Sequence, residues 1–243
     1  MFRALGINYL DQAGNTYINF DGVRIDVRGR RAVKANLAPS NTVDARGGVN
    51  LFSPKRAQVI FAILSWPELI TRPVRDIAAA AGVSLGQVQQ TLDLLVRYGL
   101  LGEGKQFLDH KRQQLIDQWA AAYRTGLGSH ARTKFFSGAI DHLESEIMPL
   151  YISGEAAVPD LLRPETLVLY TRELPTDLIR THRWRRNDDR PNIFLRPQFW
   201  QIPGEAEKPG PHKAPWLLIY ADLLASGDGR QREAASHLLE VMR

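Results

Sequence analysis

No cysteine occurs in the chain, which excludes disulfides and the thiolate zinc sites on which many small nucleic-acid modules depend. A chain without thiols suits a reducing cytoplasm. Long apolar runs are missing too. The run from Val59 to Leu64 is far shorter than the ~20 residues that cross a bilayer, and Met1-Phe2-Arg3-Ala4-Leu5-Gly6 lacks the apolar core of a secretion signal. The expectation is a soluble cytoplasmic protein with no membrane partner. The six histidines show neither HExxH nor clustered ligand spacing, so neither a metal nor a cofactor is expected. No internal repeat is visible.

What is present is enough apolar material to bury a core: 243 residues with 44% hydrophobic content, most simply divided into two modest domains. The net charge of +5 favours polyanion partners without proving one. The expected class is α+β, with a winged helix-turn-helix and a small α/β domain. The expected division is a β-rich segment and linker over 1–50, the DNA-binding module over 51–110, and a linking helix with the α/β domain over 111–243.

The stretch from Thr71 to Phe107 organises that reading. Pro73 suits a helix start, and Val74, Ile77 and Ala78 share one face up to Ala81. Gly82 is free to take the positive φ of a sharp helix-helix corner. Ser84 can cap the next helix, with Gln87 reaching back to complete a capping box. Val88, Leu92, Leu95 and Val96 then turn inward, leaving Gln87, Gln90, Asp93 and Arg97 outward. Gly102-Glu103-Gly104-Lys105 reads as a hairpin tip, the wing. Upstream, Ser53-Pro54 opens a first helix whose Val59, Ile60, Ile63 and Leu64 point inward. Lys55 and Arg56 in its first turn oppose the helix dipole, a placement that a phosphate contact would offset.

Elsewhere, Gly14-Asn15 and Asp21-Gly22 divide residues 7–28 into a hairpin or three-stranded meander. Ala35 to Asn50 reads as a linker. Asp109 to Tyr123 forms an amphipathic helix that joins two domains or makes a dimer surface. Beyond it the pattern predicts helices over Phe135–Ile147, Ala156–Leu162, Asp177–His182, Trp216–Ala225 and Arg230–Met242. Strands are expected at Thr166–Tyr170 and Asn192–Leu195, in an α/β domain that the N-terminal strands could complete. The basic run Arg180, Arg183, Arg185, Arg186 and Arg190 reads equally as a solvated loop or a second phosphate contact.

Several stretches together resemble the antitoxin family of AbiE-type (type IV) toxin-antitoxin systems. They are Ser53-Pro54 with Val59–Leu64, Ala81–Gly86, Ser153-Gly154-Glu155-Ala156-Ala157, Asn192-Ile193-Phe194 with Phe199-Trp200, and Tyr220–Asp228. The last is the most specific, because helix physics does not demand that run. The resemblance implies a DNA-binding regulator that represses its own operon, a cognate toxin, and a restriction-endonuclease-like C-terminal domain.

Enzymatic patterns fit less well. Gly82-Val83-Ser84-Leu85-Gly86 matches G-x-S-x-G, but a nucleophile elbow follows a strand and this stretch follows a helix, so Ser84 reads as a cap. Gly99–Lys105 matches most of a P-loop, with Gln106 where Ser or Thr is needed. Pro159-Asp160 matches the start of a PD-(D/E)xK nuclease site, yet no acid-x-Lys follows, and Asp26-Val27-Arg28 carries an arginine in the lysine position. An inert endonuclease-like scaffold therefore fits better than a Mg²⁺-dependent endonuclease. Asp26, Glu155 and Asp160 are the carboxylates such an enzyme would use, and no catalytic residue is assigned.

The expected interface has Ser84, Gln87 and Gln90 at base edges, with Lys55, Arg56, Arg72, Arg75, Arg97 and Lys105 on phosphates of double-stranded DNA. Pairing of two copies on a palindromic operator is the usual arrangement for such a module.

Overall fold

The structure is a computed structural model that describes residues 9–10, 16–20, 23–27, 50–104, 106–204 and 206–242. The chain divides into two compact units, Met1–Thr42 and Val43–Arg243. In the first, β1 (Tyr9–Leu10), β2 (Thr16–Phe20) and β3 (Val23–Val27) form an antiparallel three-stranded sheet. Phe20 pairs with Val23 across the Asp21-Gly22 dipeptide, the spacing of a two-residue hairpin. This is the expected meander. Most of the expected linker, Ala35 to Gly48 and beyond to Val49, lies outside the described residues.

The second unit opens with α1 (Pro54–Ser65), α2 (Val74–Ala81) and α3 (Leu85–Arg97), with a 3-10 turn at Pro67–Thr71 between the first two. After α3 a single bridge pairs Leu101 with Phe107, and Gly102 N–H donates to the Gln106 carbonyl at 2.9 Å, closing a short hairpin. Helix α4 (Asp109–Tyr123) follows. Six strands then make one sheet: β4 (Lys134–Ser137), β5 (Pro149–Ser153), β6 (Leu167–Thr171), β7 (Arg185–Arg186), β8 (Ile193–Pro197) and β9 (Gly210–Lys213), with α5 (Thr176–Thr181) between β6 and β7. Helices α6 (Trp216–Ser226) and α7 (Gly229–Val241) end the chain.

Helix α1 lies at the centre. Nine consecutive residues from Arg56 to Leu64 are buried, as expected of a helix that is apolar all round and covered on every side. It packs on α2 and α3, and on α4 and α6. Phe61 is its hub, with ring centroids 5.7 Å from Trp66, 5.7 Å from Trp119, 5.1 Å from Phe199 and 5.7 Å from Trp200. One apolar core therefore joins residues of the first three helices to residues past position 199. The inner face of α4 also faces this core, where Trp119 donates from Nε1 to the Ala57 carbonyl at 2.8 Å. That face is not a free dimer surface.

The sheet order is β7-β4-β8-β6-β5-β9, with β6/β8 and β5/β9 parallel and the other pairs antiparallel. None of β1–β3 belongs to it. Strand β6 is buried throughout, and its alternation divides two apolar clusters. Val168 and Tyr170 face the core around α1, while Leu167 and Leu169 face a second cluster with Leu150, Ile193 and Leu195.

Two expected helices are not formed. Phe135–Ile147 carries Phe136, Ile140, Leu143 and Ile147 at helical spacing, yet it begins as β4, which pairs Phe135 with Phe194 and Phe136 with Ile193. Long-range pairing of aromatic and β-branched residues overrides local periodicity here. Gly138 then ends the strand, its backbone N–H and carbonyl both held by the Asn192 side chain. Ala156–Leu162 is a 3-10 turn at Gly154–Ala157 followed by turns, because Pro159 has no N–H to continue a helix. Strands β5 and β9 were not expected, since Pro149, Gly210 and Pro211 are poor strand residues, but β9 is an edge strand, where proline is tolerated.

Candidate nucleic-acid interface and its buried support

The corner between α2 and α3 is built by backbone geometry. Gly82 ends α2 with φ 62° and ψ 41°, the left-handed conformation that costs other residues strain. Val83 N–H returns to the Ala78 carbonyl at 3.1 Å. Gly82 is required for a second reason, since a Cβ there would stand 2.8 Å from the Phe199 carbonyl oxygen. Beside it, Gln201 N–H donates to the Ala80 carbonyl at 3.0 Å. The Phe199–Gln201 segment thus braces the corner from the far end of the sequence.

Ser84 caps α3, its hydroxyl accepting from Gln87 N–H at 3.3 Å. The expected reciprocal bond is not made. Gln87 instead donates from Nε2 to Thr91 Oγ1 at 3.3 Å, which leaves it half-buried. The opposite face of α3 buries Val88, Thr91, Leu92, Leu94 and Leu95 against the core, with Val96 partly buried. Outward stand Ser84, Leu85, Gly86, Gln89, Gln90, Asp93 and Arg97. Helix α3 is a surface helix with its polar side open.

The expected phosphate contacts divide. Lys55 is exposed, its Nζ 3.5 Å from the Gly82 carbonyl, and it shares a shallow concavity with Ser84, Leu85, Gln87 and Gln201. Arg72 is exposed in a neighbouring concavity that Gln201 also lines. Arg75 is exposed beside Asp76 at 3.6 Å. Arg97 is exposed at the other end of α3, about 18 Å along the axis from Leu85 at 1.5 Å rise per residue. Arg56 is a correction: it is 5% exposed, and its guanidinium donates to the Asn50 carbonyl at 2.8 Å, so it is not offered to a partner. Lys105 lies outside the described residues. Leu85, 55% exposed, Gln89 and Gln201 were not singled out from sequence. The signal for Leu85 was available, since a large apolar residue one position after a cap lies off the buried stripe of α3.

The same unit also holds a buried polar cluster whose members were not assigned a role from sequence. Asp222, on α6, accepts from Ser153 Oγ at 2.6 Å and Tyr170 Oη at 2.9 Å on one oxygen, and from Tyr123 Oη at 2.7 Å and the Arg196 guanidinium on the other. Arg196 also donates to Tyr123 Oη at 2.7 Å and Thr133 Oγ1 at 3.1 Å, and the two tyrosine hydroxyl oxygens lie in contact, each directing its single proton to Asp222. Burial, then the charge of Asp222, raises the pKa of both tyrosines, so they remain hydroxyl donors at neutral pH. Burial is the largest single influence on Arg196 and would lower its pKa, but the Asp222 charge together with the Tyr123 and Tyr170 hydroxyls outweighs it, and the guanidinium is held more firmly protonated. The cluster ties α4, three sheet strands and α6 together, and its carboxylate sits inside Tyr220–Asp228.

The carboxylates considered for nuclease chemistry are placed differently. Glu155 is 1% exposed and saturated: one oxygen accepts from Glu165 N–H, Thr166 N–H and Thr166 Oγ1 at 2.7, 2.8 and 3.1 Å, the other from Gln231 Nε2 at 2.6 Å. Its lone pairs hold loop backbone and α7. Asp160 is exposed in a turn, and Asp26 is exposed on β3 of the separate N-terminal unit. The basic run places Arg185 and Arg186 on edge strand β7, exposed, around a buried Trp184 whose Nε1 donates to the Ala139 carbonyl at 2.7 Å. Charged residues on an edge also block strand addition.

The model of the family described as transcriptional regulator, AbiEi antitoxin of type IV toxin-antitoxin systems matches residues 108–242, more than half of the chain. The chain belongs to the AbiEi antitoxin family. The AbiEi match takes in α4, the whole six-stranded sheet, α6, α7 and every residue of the buried cluster. Helices α1 to α3 lie before the matched residues. No curated protein and no solved structure matches the chain. Among the described residues, no helix is long and apolar enough to cross a membrane.

Proposed function

We propose that this AbiEi antitoxin is a double-stranded-DNA-binding regulator that reads an operator through α3 of a winged helix-turn-helix, with the hairpin after α3 as the wing. The observation that carries the reading is the outward face at the start of α3: Ser84, Leu85 and Gln90 exposed, with Gln87 at its margin. Glutamine pairs bidentately with adenine, and an exposed leucine can meet a thymine methyl. Gln87 must leave Thr91 to reach a base, so Gln90 carries more of the discrimination. Lys55, Arg72, Arg75 and Arg97 supply phosphate contacts, and the N-terminal end of α3 adds its partial positive charge. A cognate toxin and autoregulation of a shared operon accompany that reading, on the strength of family membership.

The test is a gel shift of the full chain with duplex taken from upstream of its own gene and with random duplex, at rising salt. Binding that prefers the upstream duplex and weakens as salt rises supports the proposal, since neutralised phosphates release counterions. No salt-sensitive shift with either duplex overturns it.

A further inference from the structure

A groove of about 740 Å³, lined by no residue of α1 to α3, lies between the segment joining β4 to β5 and helix α5. Its floor includes Met148, Leu150 and Leu178, continuous with the second apolar cluster. Ile147 and Leu174 border it, 75% and 40% exposed. Isolated apolar side chains on a surface need no explanation, but two beside an apolar floor make a place where another molecule can bury area.

The charge around the groove is opposite to that of the chain. Lys and Arg outnumber Asp and Glu by 31 to 26, yet no Lys or Arg lines this groove, whereas Glu144, Glu146, Glu173 and Asp177 do. Asp177 is taken up by Arg180 at 2.7 Å. Glu144, Glu146 and Glu173 make no ion pair with any described residue, so three exposed carboxylates border the apolar floor, Glu173 on the side where a neighbouring concavity holds Arg132, Lys134 and Arg172. A nucleic acid or an acidic peptide would meet like charge here.

We propose that this groove docks a basic peptide segment of a partner protein, one that carries a large apolar side chain between lysines or arginines. The apolar anchor covers Met148, Leu150 and Leu178, and the flanking cations pair with Glu144, Glu146 and Glu173. The acidic border then selects the partner by repelling anionic competitors. This site would leave α3 free for DNA, so one molecule could hold both partners.

The test is selection of a random displayed peptide library on the immobilised full chain, followed by fluorescence anisotropy with the enriched peptide made synthetically. Enriched sequences should place Lys or Arg on both sides of Leu, Ile, Phe or Trp, and their affinity should fall as salt rises. The triple variant Glu144→Gln, Glu146→Gln, Glu173→Gln should weaken binding roughly tenfold, given three exposed pairs of modest strength each. Ile147→Ser should weaken it independently. All four positions are solvent-facing, and unchanged thermal unfolding will confirm that the variants fold. Absence of enrichment, an acidic or uncharged consensus, or affinity indifferent to these substitutions overturns the proposal. So does a concentration-dependent dimer that Ile147→Ser abolishes, because the occupant would then be a second copy of this chain.

Discussion

Replacing Gly82 by alanine tests whether the corner that presents α3 is built as described. The new Cβ meets two obstacles. The backbone has φ 62°, where a non-glycine residue costs about 1–2 kcal/mol. The Cβ would also lie 2.8 Å from the Phe199 carbonyl oxygen, a backbone atom on a segment pinned by the Phe61 and Trp200 rings. Relieving that overlap costs about 1–3 kcal/mol. The sum, about 2–5 kcal/mol, corresponds to a Tm lower by about 4–20 °C for a unit of this size. Gly86 is the internal control: it is helical, and a Cβ there meets nothing within 4 Å. Gly86→Ala should be neutral or stabilise by up to about 0.5 kcal/mol, the low end for a first-turn position. The assay is thermal and urea unfolding of both variants beside the parent chain. A Gly82→Ala protein as stable as the parent, or a Gly86→Ala protein equally damaged, would refute the reasoning.

Three further outcomes follow from the core, its buried ion pair and the cap of α7. Phe61→Ala empties the centre of the aromatic hub and should cost about 3–5 kcal/mol, read as a lower urea midpoint. Asp222→Leu leaves the Arg196 guanidinium, only 10% exposed, without its carboxylate. It should cost about 3–5 kcal/mol, while Asp222→Leu with Arg196→Met should recover part of that loss; a double variant no more stable than the single one would contradict the ion-pair account. Asp228 caps α7 by accepting from Arg230 and Gln231 N–H at 2.8 and 3.2 Å, and the bond from Gln231 leads the causes that hold its pKa below the usual aspartate value. A depressed pKa stabilises the fold above the unfolded value and loses that effect as pH falls through the folded one. Asp228→Ala should therefore lower Tm at neutral pH, and the gap to the parent should narrow in acid.

The helices at the front of the unit were legible because capping residues and apolar spacing coincide there. Pro54, Gly82 and Ser84 each stand where the pattern puts them, and Leu167–Tyr170 announces itself by β-branched and apolar content. The Phe135–Ile147 stretch misled because its periodicity is genuine while its strand partner, Phe194, lies more than fifty residues away. Local pattern carries no trace of such a pairing. The unity of the core was hidden for the same reason, since nothing near Gly82 announces that Phe199 will close on it. Arg56 shows the limit of dipole arguments: an unfavourable first-turn charge is accounted for internally by the Asn50 carbonyl. In the buried cluster, Tyr123, Ser153, Tyr170, Arg196 and Asp222 are spread over a hundred residues and meet only through the sheet. The visible clues were Ser153-Gly154-Glu155-Ala156-Ala157, which carries Ser153, and Tyr220–Asp228, a run that helix formation alone does not require.

The central claim is that the exposed face of α3 reads DNA sequence, and the ratio of dissociation constants for random and upstream duplex, measured at one fixed salt concentration, tests it most directly. For the parent chain the ratio should be well above one. Gln90→Ala should lower it about five- to a hundredfold, the worth of one bidentate base contact, while leaving affinity for random duplex nearly unchanged. A ratio that Gln90→Ala does not move, in a parent chain that does discriminate, would place sequence reading elsewhere in the molecule and contradict the account.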